Sequence, residues 1–101
     1  MDNLGKDQLA GRWVTDPTDH SSLQEYGQAT LEFLPDGRLF YTIYRDDKEE
    51  VMLLTYEIEG DTLITDQPSS PRRRRTPFLL TPDGKLVLIY EGYQSFYLRD
   101  D

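Results

Sequence analysis

Gly11-Arg12-Trp13 near one end of the chain and Arg99 near the other decide how this sequence is read. Between them, short stretches alternating apolar and polar residues are separated by turn formers, the pattern of antiparallel strands that each fold back on the one before. When such a meander closes, its first and last strands lie side by side, and the only tryptophan meets the last arginine.

Working outward from Trp13, residues 12–15 read as a short first strand. Residues 2–10 carry Leu4 and Leu9 among polar residues and run into Gly11, which fits one or two turns of helix stopped by glycine. Asp16-Pro17-Thr18-Asp19-His20-Ser21-Ser22 gathers turn formers and predicts an irregular segment. Residues 28–34 alternate Leu31 and Phe33 with Thr30 and Glu32 and form the second strand.

Leu34-Pro35-Asp36-Gly37-Arg38 places proline where a type I turn wants a fixed φ and glycine where the next residue must be left-handed, which specifies a hairpin with a glycine bulge. That turn sets the register: Phe33 faces Leu39, Leu31 faces Tyr41, and the third strand turns Leu39, Tyr41 and Ile43 inward. The acidic run at 46–50 predicts a loop, and the strand at 51–59 turns Met52, Leu54, Tyr56 and Ile58 inward. Gly60-Asp61 is a two-residue hairpin that sets Ile58 opposite Leu63. Pro68-Ser69-Ser70-Pro71 and the arginines at 72–75 interrupt the pattern before a strand at 76–81. Thr81-Pro82-Asp83-Gly84-Lys85 repeats the first turn's chemistry and sets Leu80 opposite Leu86 and Phe78 opposite Leu88, with Tyr90 further along that face. A looser turn at 91–94 leads to the last strand, 95–99.

The expected fold is all-β: one domain over residues 1–101, a short eight-stranded antiparallel up-and-down barrel preceded by a short helical turn. Its tight glycine turns gather at one end and its longer connections at the other. A chain of 101 residues can bury one core. With no apolar run long enough to span a bilayer and no leader pattern at the start, the expected location is cytoplasmic, or secreted after loss of a leader. Lack of cysteine excludes disulfides and thiolate chemistry, and a net charge of -8 opposes nucleic-acid and anionic-membrane binding.

Gly11-Arg12-Trp13 at the closed end, with Arg99 ending the last strand, resembles the lipocalin-like, or calycin, barrels, in which a short helix precedes a G-x-W motif and a late arginine packs over the tryptophan. The resemblance implies a structural pair of Trp13 and Arg99, and a binding mouth at the loosely connected end. A Thr-Asp-Tyr segment before the penultimate strand and a helix after the last strand, both family features, are missing.

The inward residues are mostly large, so the lower half of the barrel is expected to be solid and any pocket shallow. Tyrosine stands out: Tyr41, Tyr56 and Tyr90 project inward by register, while Tyr26, Tyr44 and Tyr93 fall near the loop end. A buried phenol needs a polar partner, though tyrosine is also an ordinary strand residue whose hydroxyl can reach the rim. Of the four arginines, alternation lets at most two face the mouth. Arg74 joins the tyrosines as a candidate ligand contact, against the plainer reading of solvated surface charge. His20 with Asp16 and Asp19 is the one constellation of metal-ligand type, and its Asp-Pro-Thr-Asp setting reads as turn chemistry. No catalytic motif, metal site or cofactor is expected. The leading expectation is a non-enzymatic binding module for a small amphipathic or hydrophobic molecule at the loop end. The alternative is an acidic interaction domain, of inhibitor or immunity type, binding a basic protein.

Overall fold

Local turn chemistry sets the register of the sheet. In the computed structural model, which describes residues 9–45, 47–69, 71–90 and 92–100 without the side chains of Glu25, Tyr26 and Arg45, the Leu34 amide donates to the Arg38 carbonyl at 2.8 Å and the Gly37 amide to the Leu34 carbonyl at 3.1 Å. The second turn repeats this, with Thr81 donating to Lys85 at 2.8 Å and Gly84 to Thr81 at 2.9 Å. Gly37 has a φ of 94° and Gly84 a φ of 89°, the left-handed backbone that only glycine adopts without strain.

Those turns join the strands of a closed antiparallel barrel whose order follows the sequence: β1 (Gly11–Thr15), β2 (Gln28–Phe33), β3 (Arg38–Arg45), β4 (Lys48–Glu59), β5 (Thr62–Asp66), β6 (Arg74–Leu80), β7 (Leu86–Tyr90) and β8 (Tyr93–Arg99). One helix, α1 (His20–Tyr26), lies between β1 and β2. Phe33 pairs with Leu39, Leu31 with Tyr41, Ile58 with Leu63 and Phe78 with Leu88, as the turns require. Among the described residues no helix is long and apolar enough to cross a membrane.

At closure β1 pairs with β8, and Trp13 stands directly opposite Arg99. The guanidinium lies 4.3 Å from the centre of the indole and donates to the Ala10 carbonyl at 2.8 Å. Beneath it the indole N–H donates to the Leu9 carbonyl at 3.0 Å. Leu9, in helical backbone, and Trp13 are both buried. Residues 2–8 of the expected helical lead-in lie outside the described residues.

Four expectations about connections are corrected. The segment 16–22 is not wholly irregular, because α1 starts at His20. Asp19 caps it, accepting from the Ser22 amide at 3.3 Å, and also accepts from the Phe96 amide of β8 at 3.0 Å, so tertiary anchoring turns a run of turn formers into a helix. Of the acidic run 46–50, Asp46 lies outside the described residues and 48–50 are not a loop: β4 begins at Lys48, and Glu49 and Glu50 pair with Tyr44 and Ile43. A hairpin arm bathed by water on its outer face needs no apolar residues there, and Asp47 makes the turn with a φ of 64°, which aspartate tolerates. Of the expected loose turn at 91–94, Glu91 lies outside the described residues, and the connection is not loose, since Tyr90 pairs with Tyr93 and Ile89 with Gln94. Finally, β6 starts at Arg74, which pairs with Thr65, so Arg74 and Arg75 are strand residues. The long connections at the open end are therefore those carrying α1 and residues 67–73.

Trp13, Leu31, Phe33, Leu39, Tyr56, Leu63, Phe78, Leu86 and Leu88 form the core with Leu9, Ala29 and Tyr97. Ile64 is buried although it points outward. It pairs with Glu57 on one side and Arg75 on the other, and the exposed Glu59–Arg75 ion pair, 3.1 Å long, bridges β4 and β6 across its strand. Asp16, only 3% exposed, accepts from the Thr18 amide at 2.9 Å and pairs with Lys85 at 3.0 Å across β8. The Thr18 amide, then Lys85, hold its carboxyl down at about 2, and the same contact raises Lys85.

Candidate functional site

The two long connections divide the open end between them. α1 packs against β2 and β8, and its Ser22 hydroxyl meets that of Ser95, on the inward face of β8, at 2.9 Å. Both serines are buried, so α1 stoppers the side of the barrel made by β1, β2 and β8. The opposite side is less covered, because β4 outruns its neighbour: among the described residues β5 pairs only with Thr55 to Glu59 of β4, and the earlier half of β4 pairs with β3 alone. A gap is left between that half and the 67–73 connection.

A cavity of about 240 Å³ lies behind this gap. Leu31, Phe33, Leu39, Leu54, Leu63 and Leu88 line its floor and walls, and Met52, Tyr41 and Tyr90 continue upward. Thr65, Gln67, Arg72, Arg74 and Thr76 supply the polar side. The expected solid lower half thus holds only beneath Phe33 and Leu63, where Trp13, Tyr56 and Phe78 fill the barrel. The volume corresponds to about eight water-sized volumes at about 30 Å³ each, enough for one small ligand.

Of the residues singled out by sequence, Tyr41, Tyr90 and Arg74 come together on this cavity. Tyr56 belongs to the other end: its hydroxyl donates to the Leu34 carbonyl at 2.7 Å, and its ring meets Phe33 edge-on at 5.0 Å. Tyr44, paired with Gln28 and Glu49, lies on the outer face by alternation from Tyr41 and Ile43. Tyr93 is 64% exposed beside the β7–β8 turn and does not line the cavity. Tyr26 ends α1, and its side chain lies outside the described residues. The Tyr90 and Tyr97 hydroxyls are 3.4 Å apart, and burial pushes the Tyr97 phenol well up.

Thr65, Gln67 and Thr76 were not anticipated, yet alternation carries the signal for them. Leu63, Thr65 and Gln67 share one parity, as do Arg72, Arg74, Thr76 and Phe78, so extending the inward faces of β5 and β6 reaches every polar group on that side.

The Asp16, Asp19 and His20 constellation is structural. Both carboxylates are engaged as described, and burial, which opposes the charge of Asp19, is outweighed by its hydrogen bonds from Ser22 and Phe96, leaving its carboxyl lowered. His20 is exposed at the start of α1. Among the described residues, no group of three or more His, Cys, Asp or Glu could hold a metal ion.

No family model, curated protein or solved structure matches the chain.

Proposed function

We propose that this barrel is a non-enzymatic binding module of lipocalin-like type, which takes a small amphipathic molecule into the cavity between β4 and the 67–73 connection. The observation that carries this reading is the division of the lining: leucines and Phe33 below, with Tyr41, Tyr90, Gln67 and two arginines toward the opening. An apolar pocket with a few convergent polar groups is the common form of a small-molecule site. The G-x-W and arginine pairing at the closed end supports the lipocalin-like assignment, since Trp13 and Arg99 meet there.

Native mass spectrometry of freshly purified protein tests this reading, with Leu54→Trp as a variant that fills the cavity. The expected result is a bound species of a few hundred daltons or less on the wild type, lost on gentle activation and absent from Leu54→Trp. Equal retention by the two proteins would count against the cavity as the site.

A second reading has its own observation. The unpaired edge of β4 carries exposed Glu49, Glu50, Val51 and Leu53, an open strand with acidic and apolar side chains that suits an extended basic segment of a partner protein. Under that reading Glu49 and Glu50 govern association, which weakens as salt is raised, and Tyr90 is without influence.

A further inference from the structure

The two arginines at the opening identify the charge of the ligand, given the cavity reading just proposed. Arg74, on the inward parity of β6, and Arg72, in the connection just before it, both line the cavity, whereas Arg75 lies on the outer face of β6. On the outer face Arg75 is neutralised by Glu59 at 3.1 Å. Arg72 and Arg74 have no ion-pair partner among the described residues, although the chain carries 19 acidic residues against 11 basic ones. Among the described residues no carboxylate lines the cavity; its remaining polar groups there are the phenols of Tyr41 and Tyr90, the hydroxyls of Thr65 and Thr76 and the amide of Gln67.

Two guanidiniums of like charge lining one opening repel each other, and an anion between them relieves that repulsion. The walls beside them are apolar, which strengthens their field at the opening and lets the aliphatic stems lie along the leucines while the charges stay at the rim. A neutral or cationic head would leave that field unanswered.

We infer that the ligand is an amphipathic anion, a carboxylate on an apolar tail of about eight heavy atoms, with the tail among Leu39, Leu54, Leu63 and Leu88 and the head between Arg72 and Arg74. The tail length follows from the cavity of about 240 Å³, with each heavy atom needing roughly the 30 Å³ of a water. Planar guanidinium forks match carboxylate oxygens in pairs, which supplies orientation as well as attraction.

Titration calorimetry with three probes built on a ten-carbon chain, the carboxylate carbon included, tests this: decanoate, 1-decanol and decyltrimethylammonium. Decanoate is expected to bind at least tenfold more tightly than decanol, with the ammonium weakest. Arg72→Gln/Arg74→Gln, which alters exposed side chains, should bring decanoate down to the affinity of decanol while leaving decanol and the melting temperature unchanged. Decanol or the ammonium binding as tightly as decanoate would overturn the anionic assignment while leaving the cavity reading intact. Failure of all three probes to bind wild-type protein would remove the cavity reading and this inference with it.

Discussion

Arg99 shows how one residue can tie the two ends of a chain together. Its guanidinium covers the Trp13 indole and also satisfies the Ala10 carbonyl just ahead of β1, so one side chain contributes both a cation–π contact and a hydrogen bond across the closing seam. Arg99→Ala should cost about 1 to 2 kcal/mol in denaturant unfolding and shift the tryptophan emission, whereas unchanged stability and spectrum would contradict closure through this pair. Asp16 acts in the same way on the opposite flank of β8. Its carboxyl is held at about 2 in the fold and returns to its ordinary value near 4 on unfolding, so the ionised form is the one that the fold favours. The stability it contributes, about 2 kcal/mol, is fully present above pH 4 to 5 and is lost as pH falls through 4 toward 2. Unfolding followed from pH 5 to pH 2 should show a steeper loss for wild type than for Asp16→Asn, and parallel curves would show that the carboxylate is not held as described.

At the scale of elements, what the sequence revealed depended on whether the cause was local. The two Pro-Asp-Gly turns were legible because proline and glycine fix their backbone without help from the rest of the molecule, and they determined the inward faces of β2, β3, β6 and β7. At Gly84 nothing lies within 4 Å of where a Cβ would stand, so a substitution there is opposed by the left-handed backbone alone. Gly84→Val should therefore destabilise by more than about 1 kcal/mol in thermal or chemical unfolding, and a neutral result would show that the turn does not need its φ of 89°. By contrast, α1 was hidden because its start depends on Asp19 reaching both Ser22 and Phe96, the second from the far end of the chain. The acidic arm of β4 was hidden for a different reason: charge is a poor sign of a loop when a strand projects past its neighbours and meets water. The Asp19-x-x-Ser22 spacing ahead of Leu23 was the one local clue to the helix, outweighed by the proline and serines around it.

Over the whole molecule, the barrel, its order and its closing pair were legible, while the cavity was not. The inward list of large side chains pointed to a filled interior, but filling depends on where strands end and how far they stagger, and period-two reading carries neither. Because β4 continues past the last pairing of β5 and α1 covers only the side of β2 and β8, the open space is concentrated next to Arg72, Arg74 and Gln67. The same geometry makes Tyr41, Tyr90 and Arg74 neighbours of one cavity, leaves Tyr44 and Tyr93 on the outer surface and keeps Tyr56 in the core toward the closed end. The most direct test of binding at this opening is an amide NMR titration of the wild-type protein with decanoate. Shifts concentrated at Tyr41, Leu54, Thr65, Gln67, Arg74 and Tyr90 are expected, whereas shifts concentrated around the tight turns at Gly37, Gly60 and Gly84 would contradict a binding site at the open end.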